Sequence, residues 1–384
     1  MTWLTGYSYR KKITITGQTG ADTNYQVKLQ IGNASGGDFN LSGHAQSFPN
    51  DIRFTSSNSS TQLNYWTENV ASSPITVWVN VADSLNSNVD IYCYYGKTSD
   101  ATTSSGTNTF LFFDDFLGSS IDTSKWQRMS SGGSTSISNS ILDMWTSSDN
   151  YETWMTYNQY PVNSCAISKF RISTDASTGA GVGFYNGSSY TAWETWGSKH
   201  WSIWNSPNSS IISRTADYST YRTVKIGRDG ITKVDFYTDN ISDGNISTYI
   251  PTTSLGGYLY ITSRTGSIHL YVDWFAIGKY VSPEPTFGTI GVEELGITAT
   301  AMTLSQSENP CRTGICTITA NVTWQNLGSS SITFRPKILI DGITEVQAAS
   351  DTTITGPYPA TSSLIQITTP TLPAGTHSIC PYPN

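Results

Sequence analysis

The sequence predicts an all-β protein built from three tandem β-sandwiches. Three observations carry that expectation. Short runs alternate apolar and polar residues with period 2, the side-chain period of a strand. Clusters of Gly, Pro, Asn and Ser separate those runs; the chain holds 32 Gly and 15 Pro, residues that punctuate strands with turns. No stretch repeats apolar residues at helical spacing, whereas aromatics form 12% of the chain and pack well on a pleated surface. A length of 384 residues is too great for one sandwich and suits two or three.

Residues 1–108 read as the first unit. Tyr9–Thr16 is a strand with Ile13 and Ile15 on one face, and Tyr25–Ile31 alternates with Tyr25, Val27, Leu29 and Ile31 facing one way. Asp51–Thr55, Leu63–Thr67, Ile75–Val81 and Val89–Tyr95 supply four more strands. The run Arg10-Lys11-Lys12 reads as the solvated start of a strand. A Ser/Thr/Gly-rich linker follows at 101–109.

The stretches Trp3–Ile15, Asp51–Thr55, Tyr65–Glu68, Thr76–Val81 and Ile91–Lys97 resemble, in order and spacing, the family called domain of unknown function 2341. That resemblance spans the whole first unit. It implies a setting in archaeal, bacterial or viral surface proteins rather than a mechanism.

Residues 109–290 form the second unit. Its opening, Phe112-Phe113-Asp114-Asp115-Phe116 with Ile121–Trp126, and its closing run Leu270–Pro285 resemble concanavalin A-like (LamG-type) jelly rolls. The resemblance implies paired first and last strands, which would bring Asp115 and Asp273 together. Two readings stand for that pair: ligands of a structural calcium, or a turn cap and a salt-bridged carboxylate. Asp239–Asn245 is a second acidic loop, read as a solvated turn.

Residues 291–384 are the third unit, with strands over Thr317–Trp324, Ile332–Ile340 and Ser363–Thr368. Val322–Gly328, Lys337–Gly342 and Leu372–Ile379 resemble the CARDB-type Ig-like module of archaeal and bacterial adhesion proteins, which implies a spacer.

Cys93 and Cys165 read as buried free thiols. Cys311 and Cys316 flank a Gly turn and are expected to form a disulfide. Cys380 pairing to either is the alternative, and a zinc site of these three with His377 is another.

A net charge of −7 argues against a nucleic-acid partner, since phosphate binding needs a basic patch. No apolar run of spanning length occurs, so no membrane insertion is expected, and no signal-peptide pattern opens the chain.

The stretch Trp193–Trp204 is the candidate ligand site. It places four of the protein's 12 Trp in one hairpin-like segment, Trp193, Trp196, Trp201 and Trp204, together with Glu194 and His200. Alternation puts Trp193 and Thr195 on one face and Glu194 and Trp196 on the other. Beyond a Gly197-Ser198 turn, Trp201 and Ile203 share one face, and His200, Ser202 and Trp204 the other. Either face could be core. Sugar rings stack on exposed aromatic faces, and a few polar groups fix their orientation.

Glycoside hydrolysis needs two carboxylates flanking the bond. The spaced acids of the glucanase motif are missing, Glu152 and Glu194 stand alone, and no serine-nucleophile elbow occurs. The sequence therefore leads to the expectation of a non-enzymatic extracellular, cell-surface or virion protein whose central jelly roll recognises a glycan. A purely structural spike, fibre or filament subunit that assembles with copies of itself is the alternative. A glycoside hydrolase is a remote third.

Overall fold

A computed structural model describes residues 3–68, 73–147, 150–173, 179–195, 200–213, 217–263, 267–307, 315–373 and 375–382. The protein is almost entirely β-strand; its one described α-helix is the single turn Gly106–Thr109. Among the described residues no helix is long and apolar enough to cross a membrane.

The first sandwich packs a five-stranded sheet on a four-stranded one. Tyr9–Thr16, Ile75–Val81 and Val89–Tyr95 form over the residues whose alternation predicts them. Their inward side chains, with Val27, Leu29 and Ile31, build one core that also holds the free thiol of Cys93. Burial pushes that thiol's pKa up, so it stays protonated.

Two sequence expectations change here. The strand Thr286–Leu295 crosses the expected boundary near residue 290 and joins the first sandwich, pairing antiparallel with Tyr9–Thr16. Without it Tyr9–Thr16 would be an open sheet edge. The second change concerns Arg10, which is not solvated: it is 3% exposed. Its guanidinium donates to Glu294 Oε2 through Nε (2.8 Å) and Nη2 (2.6 Å), and to the Tyr94 hydroxyl (2.8 Å). It also lies over the Tyr92 ring at 4.2 Å. A run of three basic residues hides this, because only the returning strand supplies the carboxylate.

The central sandwich is two facing sheets. One runs, in spatial order, Trp126–Ser131, Asn150–Tyr160, Leu255–Ser263, Ala180–Tyr185, Ser189–Glu194, His200–Asn205 and Asn208–Ser213. The other centres on the long strand Ser267–Lys279, which pairs with Ile141–Ser147 and Ser164–Ile172. Phe112–Asp114 pairs with that same strand, Asp114 opposite Phe275, so the first and last strands lie side by side. The acidic run at 239 is a tight turn only at Asp239-Asn240, both at positive φ (49° and 67°), and Ile241–Ile246 continues as a strand. Two consecutive positive-φ residues suit a two-residue hairpin, where Asn and Asp are tolerated.

An aromatic seam joins the first two sandwiches. Trp66, Trp78, Phe110, Phe113, Trp274 and Tyr280 are all buried there, with Cys165 as a free thiol among them. The Gln26 side chain bridges the seam, donating to Lys279 O (2.8 Å) and accepting from Lys279 N (2.9 Å).

The third sandwich is built from smaller sheets around Trp324, Phe334 and Ile338. The single strand expected over 332–340 is two, Ile332–Phe334 and Lys337–Ile340, because Pro336 has no N–H for a ladder. Cys316 is disulfide-bonded, whereas Cys380 is free and exposed. This removes both the Cys380 pairing and the zinc reading; Cys311 lies outside the described residues.

Candidate functional site

The seven-stranded sheet has two unlike faces, and period 2 decides which residue goes where. On the inner face Trp193, Trp201 and Ile203 join Val182, Leu259 and Ile261 in the core. On the outer face, register aligns the rest in rows. One row reads Tyr258, Gly183, Ala192, Ser202 and Ile211. The next reads Tyr260, Gly181, Glu194 and His200, and a third Tyr185, Tyr190, Trp204 and Ser209.

These rows make a cleft. Gly181, Gly183, Ala192 and Ser202 give it a low floor, and larger residues stand on either side. The cleft is about 420 Å³, lined by Tyr185, Tyr190, Tyr258, Tyr260 and Trp204 around Glu194, His200 and Ser202. Gly181 keeps its centre open: a methyl there would sit 3.4 Å from Tyr260 and 3.5 Å from Glu194.

The rings form two groups. Tyr258 lies 5.0 Å from Tyr185 and 5.8 Å from Tyr260, centroid to centroid. Across the floor Tyr190 and Trp204 are 5.7 Å apart. Glu194 stands between the groups, 8% exposed. Its Oε2 accepts from the Ser202 hydroxyl (3.0 Å) and lies 3.6 Å from His200 Nε2. Burial, then the Glu194 charge, hold the Tyr190 phenol well above its ordinary pKa. The same two causes raise Tyr258. Both phenols therefore remain neutral donors beside a carboxylate.

The alternation of the Trp-rich stretch is as expected, and the structure assigns its faces. Glu194, His200 and Trp204 line the cleft. Trp193 and Trp201, expected among the ligand-binding residues, do not, because both rings are turned into the core with no exposed surface. Trp193 packs on Tyr218 (4.2 Å) and Phe170 (4.8 Å). Trp201 stacks on Phe236 and donates its indole N–H to Asp243 Oδ2 (2.8 Å). Trp196 lies outside the described residues.

The tyrosines are not among the ligand-binding residues that the sequence leads one to expect. Tyr258 and Tyr260 alternate with Leu259 and Ile261 in an ordinary strand pattern, and that pattern does carry the signal. What it lacks is the neighbour: Gly181 and Gly183, far off in sequence, open the space beside them.

Glu152 is on the other face. Fully buried, it accepts two bonds from Arg128 (2.6 and 2.7 Å), one from the Trp154 indole (2.7 Å) and one from Gly133 N (3.1 Å). It is a structural anion. Among the described residues Glu194 is the one carboxylate lining the cleft.

Asp115 and Asp273 are near enough for their charges to interact. The Asp273 carboxylate already pairs with Lys169 Nζ at 2.7 Å. Asp115 has its pKa raised by burial, with the charges of Asp114 and Asp273 adding to it. No group of three His, Cys, Asp or Glu side chains gathers as a metal site among the described residues.

Comparison with known proteins gives a partial family match. The family described as Domain of unknown function (DUF2341) matches residues 49–129. That stretch begins inside the first sandwich and runs into the opening of the second, rather than covering the whole first unit. No curated protein matches the sequence. Among solved structures, a β-1,3-glucanase from Mycobacterium marinum is similar at 14% identity, covering 44% of this chain and 99% of its own, with a TM-score of 0.39. The Bacillus licheniformis β-glucanase gives 11%, 44%, 97% and 0.37. A Mycobacterium tuberculosis protein described as an immunostimulatory antigen and pseudo β-1,3-glucanase gives 14%, 46%, 99% and 0.38. With glucanases among the similar structures, the expectation of a non-enzymatic protein is overturned and is not carried forward.

Proposed function

We propose that the cleft on the outer face of the central sandwich binds a saccharide. The observation that carries this reading is the aromatic lining, five rings in two groups about one carboxylate. Its volume, about 420 Å³, lies within the usual range of ligand pockets. A pyranose has apolar C–H faces and a rim of hydroxyls. Trp204 and Tyr190 offer a surface for the first, and Glu194, His200 and Ser202 offer acceptors and donors for the second. An extracellular, cell-surface or virion setting belongs to the proposal, and the disulfide at Cys316 is in keeping with an oxidising compartment.

Binding of soluble oligosaccharides by calorimetry tests it, with Trp204→Ala and Gly181→Val as variants. Trp204→Ala removes a wall, and Gly181→Val fills the floor against Tyr260 and Glu194. Each is expected to weaken binding about tenfold or more, a typical loss for an aromatic anchor. If no glycan on a broad array binds the intact protein, the proposal fails.

A further inference from the structure

We infer that the saccharide taken by this cleft carries a protonated amine, as in a polymer of glucosamine with free amino groups. The inference rests on the saccharide reading and deepens it.

A neutral sugar would cover the Glu194 carboxylate without bringing a charge to pair it. Glu194 is largely buried, and its partners among the described residues include the Ser202 hydroxyl, the Tyr190 phenol and the His200 imidazole. Among the described lining residues there is no Lys or Arg. A ligand covering the floor strips the remaining water from that carboxylate. A buried charge is tolerated when it is paired, and a ligand ammonium would pair it.

The walls point the same way. Aromatic faces carry negative electrostatic potential and attract cations within about 6 Å of a ring centre. Tyr260 stands beside Glu194 across Gly181, and Tyr190 and Trp204 stand on the other side. An ammonium above Gly181 would meet a carboxylate and ring faces together. Among the described lining residues the titratable groups around Glu194 are His200, Tyr185, Tyr190, Tyr258 and Tyr260. The phenols of Tyr190 and Tyr258 are held neutral, so of the charges they could add to the cleft none is present at neutral pH.

The test compares three β-1,4-linked oligomers of equal length on the full chain at neutral pH. They are built from glucosamine, N-acetylglucosamine and glucose. The glucosamine oligomer is expected to bind about tenfold tighter than the other two, the gain of one favourable cation site. That advantage should shrink as salt rises and vanish in Glu194→Gln, whose melting temperature is read alongside to show that it folds.

Equal affinities for the three oligomers, or a preference that survives in Glu194→Gln, would overturn the amine inference while leaving saccharide binding in place. Failure of every oligosaccharide would sink both readings. Capture of choline with no sugar bound would do the same, moving the cage to quaternary amines.

Discussion

Glu152 and Glu194 are the same residue type on two faces of one sheet, and their surroundings give them opposite work. Glu152 satisfies a guanidinium, an indole and a backbone N–H in the interior. Removing one partner of a buried charged network leaves the others unpaired, typically at a cost of about 3 kcal/mol. Glu152→Ala is expected to lose roughly that much in urea unfolding. Glu194→Ala should lose about 1 kcal/mol, since its hydrogen-bonded partners, Ser202 and Tyr190, border a cleft that water can enter. If the two costs are equal, the assignment of faces is wrong. Asp100 adds a pH-dependent contribution. Burial raises its pKa, but hydrogen bonds from Tyr7 and Lys97 and the charge of Arg53 outweigh burial and leave it below the ordinary value. A carboxylate whose folded pKa is depressed stabilises the fold above its unfolded pKa, about 4. That contribution fades as pH falls through the folded value. Asp100→Asn should therefore reduce stability at pH 7 and make little difference in acid, which urea titrations at the two pH values would read.

At the scale of strands, the sequence is most legible where one residue run settles the outcome. Tyr9–Thr16, Ile75–Val81 and Val89–Tyr95 are readable because alternation over seven or eight residues specifies both element and face. The Trp-rich stretch is half readable. Its alternation separates Glu194, His200 and Trp204 from Trp193 and Trp201, yet both groups are aromatic, so local pattern cannot say which one faces the core. Only the strands beside it decide, by bringing Val182 and Leu259 to one face and Gly181 to the other. Thr286–Leu295 is unreadable for a related reason. Its partner, Tyr9–Thr16, lies more than half the chain away, and no local pattern records such a pairing. Arg10 clasps this strand through its bonds to Glu294, beside the ladder itself and the bonds that Tyr95 and His44 make to Glu293. Arg10→Gln is expected to cost about 3 kcal/mol and to raise amide exchange across 286–295 before the rest of the first sandwich loosens. Uniform exchange over both sandwiches in that variant would show that Arg10 is not the strand's clasp.

Across the whole molecule, the returning strand and the aromatic seam act on the same joint. The chain leaves the first sandwich through the helical turn Gly106–Thr109, builds the second, and comes back to complete a sheet of the first. Trp66 sits where these paths meet, against Phe113 (4.7 Å), Trp274 (5.1 Å) and Phe110 (5.9 Å). A seam of this kind is packed like a core, and separate sandwiches that share it cannot unfold singly without exposing it. The two should therefore melt together in calorimetry. Truncating a buried Trp removes its contacts and leaves a cavity, at a cost of about 3–5 kcal/mol. Trp66→Ala takes that from the seam while sparing both interior cores, which lie among other residues. The single transition is then expected to split into two, with the central sandwich, whose core cluster is the largest, melting last. Two transitions already present in the unaltered protein would mean that the seam transmits nothing, and the cleft would then be borne by a domain indifferent to its neighbour.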